Sequence, residues 1–187
     1  MDKLLKVLCI FFLCSCTKQI SWEEKVTRDG LVYEINSQTP YSGNYFQQFP
    51  GGSKERGSYQ DGKATGIWEI HHENGQLESR GTYEDGERVG TWENYHSNGQ
   101  FASKQLYENG KKVGVSESYH NNGQLKERGT YEDGKMVGTW KNYFRSGKLK
   151  SETIYKDGEE VSWEIWTEKG ELMSHGYVKN GKYISLE

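Results

Sequence analysis

The chain has 187 residues, among them 23 glycines, 2 prolines, 13 tyrosines and 6 tryptophans, and a formal net charge of −3. A hydrophobic content of 33% is low for a compact two-layer domain, yet regularly spaced rings argue against disorder. Interspersed charges of both signs leave no basic footprint for nucleic acid.

Met1 to Ser15 carries Lys3 and Lys6 ahead of an apolar run from Val7 to Leu13. This pattern reads as the n-region and h-region of a secretory signal, too short to remain as a membrane-spanning helix. Leu13-Cys14-Ser15-Cys16 resembles the lipobox of bacterial lipoproteins. The resemblance implies cleavage after Ser15, acylation of Cys16 and a cell-envelope location; Thr17 after the cysteine implies the outer membrane where the cell has one. An ordinary signal peptide would instead leave Cys16 free. Cys9, Cys14 and Cys16 are the only cysteines, so the remainder carries no disulfide, Cys-containing metal site or thiol nucleophile. Residues 16–29, polar apart from Trp22 and a few aliphatic residues, read as a lipidated tether.

Residues 30–56 form a degenerate opening unit, expected of a terminal repeat that caps a stack. Residues 57–187 then repeat with a period of 24, as units 57–80, 81–104, 105–128, 129–152 and 153–175 and a partial unit 176–187. One column holds Tyr59, Tyr83, Tyr107, Tyr131 and Tyr155; another holds Trp68, Trp92, Trp140 and Trp163, with Ser116 in the third unit. A fixed period in this range signals stacked repeats.

Each full unit carries two turn signals. Asp-Gly or Asn-Gly stands at 61–62, 85–86, 109–110, 133–134, 157–158 and 180–181. Asn-Gly stands again at 74–75, 98–99 and 122–123, followed by Ser146-Gly147 and Lys169-Gly170. Both signals suit type I′ hairpin turns, and the intervening segments are too short for stable helices. The expected fold is all-β: an elongated, single-layer, twisted antiparallel sheet of tandem hairpins, about 12 strands and roughly 55–60 Å long. Trp92 and Tyr95 lie an odd number of residues apart, which requires either a bulge near Gly90 or rings on both faces. Gly81 and Gly90 are expected to make room for a Trp ring.

The repeated pattern Gly-x-Tyr-x-Asp/Asn-Gly-x-x-x-Gly-x-Trp, with Asn-Gly-x-Leu completing the unit, resembles the bacterial variant of the MORN repeat. The opening Arg28 to Gly43 resembles YwqK-type proteins, catalogued as antitoxins of toxin–antitoxin systems. These resemblances imply a β-hairpin ribbon that contacts proteins or lipids and carries out no chemistry. An antitoxin held outside the cytoplasm cannot neutralise a toxin inside the same cell, which leaves immunity against an incoming or periplasmic toxin, and "antitoxin" reads as a family name rather than an activity.

The residues themselves point the same way. His72, His96 and His120 share a column that continues with Phe144, so the column selects a ring rather than a metal ligand. Its members sit two strands apart, roughly 9–10 Å, too far for neighbours to share one zinc ion. Glu84-Asp85, Glu132-Asp133 and Glu159-Glu160 flank turns and read as solvated charge. No catalytic residue, metal or cofactor is expected.

The candidate interaction surface is the set of aromatic columns, Trp68, Trp92, Trp140 and Trp163 with Tyr83, Tyr107 and Tyr131. The competing reading makes these rings the ribbon's own core. Val115 and Ser116 interrupt the columns, which should leave a shallow gap for a partner's side chain. The expected role is a membrane-anchored, non-enzymatic module that binds an envelope protein, with glycan or lipid-surface binding as the alternative. The terminal strands also offer edges for edge-to-edge self-association.

Overall fold

The computed structural model describes residues 19–186, so the segment read as a signal, Cys16 and residues 17–18 of the expected tether lie outside it. Fourteen strands form one sheet and two more form a separate hairpin. In chain order they are β1 (Gln19–Ile20), β2 (Lys25–Arg28), β3 (Leu31–Glu34), β4 (Gly43–Gln48), β5 (Lys54–Gln60) and β6 (Lys63–His71). There follow β7 (Leu77–Glu84), β8 (Glu87–Tyr95), β9 (Phe101–Glu108), β10 (Lys111–Tyr119) and β11 (Leu125–Glu132). The last five are β12 (Lys135–Tyr143), β13 (Leu149–Lys156), β14 (Glu159–Trp166), β15 (Leu172–Lys179) and β16 (Lys182–Leu186). From β4 to β16 each strand pairs antiparallel with the next, a meander without crossovers.

The two turn signals fold differently. At the Asp-Gly and Asn-Gly turns both residues have positive φ, as at Asp85 (49°) and Gly86 (86°), which is the type I′ geometry expected. At Asn74-Gly75 only the glycine does, at 84°. Here Gly75 N–H donates to His72 O and His72 N–H to Gln76 O, while the Asn74 carboxamide accepts from Gln76 N–H at 3.0 Å. The expectation of type I′ turns at this second set is corrected: the Asn side chain caps the loop instead of bending it.

A bulge does interrupt each regular hairpin. Arg80 pairs with Glu93 and Thr82 with Val89, so Gly81 alone faces Gly90, Thr91 and Trp92. Gly90 takes a φ of 65° and no atom lies near the Cβ it lacks. Its role is therefore backbone conformation, not the ring clearance expected of it. Gly81 does provide that clearance.

Residues 19–29 are built into the fold, against the reading of the whole of 16–29 as a tether. Strand β1 adds parallel to β4, Trp22–Glu24 form a 3-10 turn, and β2 pairs with β3. The β2–β3 hairpin is stitched to the Asp61-Gly62 turn by Val32 N–H to Gly62 O, and Gly62 N–H donates in turn to Tyr41 O in the segment after β3, both 2.8 Å. Ile20, Val32, Tyr41 and Tyr45 are all buried beneath this cap. The expectation fails because a two-residue parallel strand has no periodicity that a sequence pattern can display.

Candidate interaction surface

Glycine and tryptophan alternate across one face of the sheet. A Cβ on Gly57, Gly81 or Gly129 would lie 2.0–2.2 Å from the indole of Trp68, Trp92 or Trp140 respectively. Each indole thus lies flat on the neighbouring strand, in space that only glycine leaves. Tyr83 stands edge-on between Trp68 and Trp92, with ring centroids 5.6 and 5.0 Å away, and Tyr107 and Tyr131 pack against Trp92 and Trp140. Such edge-to-face pairs add to the burial of the rings themselves. Trp68, Trp92 and Trp140 retain 7%, 4% and 2% of their exposure, which leaves no indole face open for stacking.

Cations close this face further. The Arg88 guanidinium sits 4.1 Å over Trp92 and donates to the Tyr83 and Tyr107 hydroxyls. Lys112 lies 4.9 Å over Tyr131, and Lys25 lies 4.2 Å over Tyr45. Burial lowers the Lys25 ammonium from its ordinary range, against the opposing pull of Glu55. Burial and then Glu55 push Tyr59 up to about 12, and push Tyr45 upward as well.

The third unit does not hold the gap expected there. Gln105 stands in the glycine column opposite Ser116, and its side chain is buried. Its amide donates to Leu106 O at 2.9 Å and Val113 O at 3.0 Å. These are the carbonyls that correspond, one and two units on, to the acceptors of the indole N–H of Trp92 (Thr82 O) and Trp68 (Thr65 O). One residue from the glycine strand has taken the space of the missing ring. In the fifth unit Thr153 brings a Cβ into the same column, and Trp163 turns instead toward Gly176 and Tyr183. Trp163 is accordingly only half-buried.

The turns are laced along the ribbon. His72, His96 and His120 each place Nε2 2.9 Å from the backbone oxygen of Tyr95, Tyr119 and Tyr143, one unit ahead. A carbonyl only accepts, so Nε2 carries the proton and donates. Asn74, Asn98 and Asn122 run parallel, donating to Ser97 O, Asn121 O and Arg145 O. Among the described residues no group of three or more His, Cys, Asp or Glu could hold a metal ion.

The opposite face carries two features that the sequence reading missed. The first is a ladder of charge in which each member faces the next across a strand pair: Arg56, Glu69, Arg80, Glu93, Lys104, Glu117, Arg128, Lys141, Glu152, Glu164 and His175. Arg56 clasps Glu69, and Glu117 lies 3.7 Å from Lys104 and 3.6 Å from Arg128. The second is a row beside it that includes Ile67, Thr82, Thr91, Leu106, Val115, Thr130, Thr139 and Ile154, mostly β-branched. Ile67, Leu106, Val115 and Ile154 are 55%, 39%, 46% and 43% exposed, an unusual density of open aliphatic side chains. Shallow depressions along this face are lined by members of both features. The signal was present in the columns just before the glycine that opens each unit and just after the tryptophan, where opposite charges recur.

Residues 64–85, 88–109, 112–133 and 136–157 match the family described as MORN repeat variant. No curated protein matches the chain. Among solved structures, the crystal structure of accessory secretory protein 1,2 and 3 in Streptococcus pneumoniae is similar at 14% identity, over 88% of this chain and 20% of that one, with a TM-score of 0.18. This chain spans only that 20% of the other chain's length. The middle of the ribbon, residues 64–157, is an array of four tandem repeats of the MORN variant.

Proposed function

We propose that the protein is a non-enzymatic interaction module, held at the bacterial cell envelope by a lipid on Cys16, that binds a protein partner. The observation that carries this reading is the division of labour between the two faces. The rings on one face are consumed by their own packing, and the other face leaves a broad, flat, charged and β-branched surface uncovered. A face of this breadth, mixing charged and apolar side chains, has the composition of a protein–protein interface. Neutralisation of an incoming toxin is one form such a role takes, and it would use the same face.

The anchor and the binding role are tested together by crosslinking in native envelopes, comparing the wild-type chain with Cys16→Ala. The lipid is supported when wild type partitions with membranes and Cys16→Ala does not. A defined partner recovered with wild type, and lost on placing Glu at both Ile67 and Val115, supports the face. Recovery unchanged by those two substitutions would move binding elsewhere, and membrane partition unchanged by Cys16→Ala would remove the anchor.

A further inference from the structure

The ladder of charge is not uniform along the ribbon. From Arg56 to Glu117 its members alternate in sign, so that each faces an opposite charge in its own sheet. Beyond that point come two cations facing each other, Arg128 and Lys141, and then two carboxylates facing each other, Glu152 and Glu164. Like charges directly opposite across a strand pair are destabilising. Arg128 leans back toward Glu117 at 3.6 Å and Lys141 forward toward Glu152 at 3.1 Å, which relieves the doublets only from their outer and shared sides. The alternating end is balanced within one chain; the doubled end is not.

We propose that the doubled end of this face is the interface of a homodimer in which two copies stack face to face. The two-fold axis lies between the sheets, parallel to the strands and midway between β12 and β13. The rotation reverses strand order, so β12 lies over β13 of the second copy and β11 over its β14. Lys141 then meets Glu152 of the second copy and Arg128 meets its Glu164, and by symmetry each contact is made twice. The flanking Glu117 meets His175. The aliphatic row matches under the same rotation: Val115 meets Tyr177, Leu106 meets Ile184, Thr130 meets Ser162 and Thr139 meets Ile154. Leu106, Val115, Ile154 and Tyr177, now 39%, 46%, 43% and 38% exposed, would be covered. Stacked sheets sit about 10 Å apart with strands within about 30°, a gap these side chains span.

The alternating end also offers a complementary arrangement, reversed about β7 and β8, in which Arg80 meets Glu93. There, however, the second copy removes no repulsion, since every charge already faces an opposite one. The doublets are where a second copy relieves strain that the single chain carries, and only one placement of the axis does so. This inference is independent of the anchor; it claims the β9–β16 end of the face for a second copy and leaves the end around Ile67 and Arg80 to the protein partner proposed above, so Arg80→Glu and Lys141→Glu separate the two.

The test is sedimentation velocity on the full chain carrying Cys16→Ala, in mild detergent. The expected result is a concentration-dependent dimer. Lys141→Glu alone and Glu152→Lys alone each set like charges face to face twice, and each should weaken self-association by at least about tenfold. Mixing the two single variants should restore a dimer, now mixed, because every contact is again between opposite charges. That recovery also shows that both variants are folded. Arg80→Glu should leave the dimer intact, since it lies at the uninvolved end. A monomer at all concentrations, single variants that dimerise like the parent, a mixture that stays monomeric, or a dimer lost in Arg80→Glu would each overturn the assignment.

Discussion

In the second unit Trp92 lies on Gly81 and donates its indole N–H to Thr82 O; in the third, Ser116 and Gln105 occupy those columns and the Gln105 amide donates to Leu106 O and Val113 O. The difference teaches that the fold requires one filled slot per unit and does not fix which strand fills it. A ring reaching over a glycine and a long amide reaching over a serine are two solutions, and they are exclusive. Either large residue with the other would crowd the slot, and either small residue with the other would empty it. The exchange has a cost: Gln105 Oε1 is buried without a partner, and the edge-to-face chain of rings is broken between Tyr107 and Tyr131. The third unit is the seam between two aromatic stacks.

The largest effect should come from emptying or blocking a regular slot. Trp140→Ala removes the most enclosed ring and should cost about 3–5 kcal/mol in chemical denaturation. Gly129→Ala should cost about 2–3 kcal/mol, because its methyl would overlap the Trp140 indole that the surrounding rings hold in place. A loss below 1 kcal/mol at Gly129, as judged against about 0.5 kcal/mol for an ordinary surface change, would mean that the rings are not packed as described.

An intermediate effect is expected at the capped end under alkali. An unfolded tyrosine ionises near 10.0, whereas burial and Glu55 hold Tyr59 protonated up to about 12. The group with the raised value stabilises the fold fully below pH 10 and loses that contribution as the pH climbs toward 12. Circular dichroism and tyrosinate absorbance should therefore change together across that window, and Tyr59→Phe should make the decline shallower. A Tyr59→Phe variant whose alkaline tyrosinate titration and unfolding both match wild type would show Tyr59 to be solvated.

The smallest effect separates two indoles. Trp92 donates a hydrogen bond at 3.2 Å, whereas the Trp140 indole nitrogen is buried with no partner. Trp92→Phe should thus cost more than Trp140→Phe by about 1 kcal/mol, the usual net value of one hydrogen bond.

Much of the ribbon was legible because its signals are local. Asp85-Gly86 requires positive φ at two successive residues, and a strict period ties Tyr83 and Trp92 to the same places in every unit. The rest depended on non-local geometry. Gly90 and Gly81 look alike in a row of letters, yet one supplies a left-handed backbone and the other an absent Cβ under a ring. Val115 and Ser116 looked like a lesion, since only the pairing of strands shows that Gln105 fills the space left by the missing ring. Residues 19–29 gave no sign of their role, because Ile20 is buried by contacts with distant strands rather than by a periodic pattern. The aromatic columns were visible as a set; that they are enclosed, and that the opposite face carries the charge ladder, needed the strand register.

A double-mutant cycle at the seam tests the central claim that the slot is filled by one residue of the pair. Gln105→Gly alone should destabilise by leaving a void and two lost hydrogen bonds, and Ser116→Trp alone by overfilling, each by about 1–3 kcal/mol. Together they recreate the Gly81–Trp92 arrangement, and the double variant should unfold within about 1 kcal/mol of wild type, a coupling of about 1 kcal/mol or more. Additive losses, with the double variant as unstable as the sum of the singles, would contradict the account and show that the third unit packs by some other means.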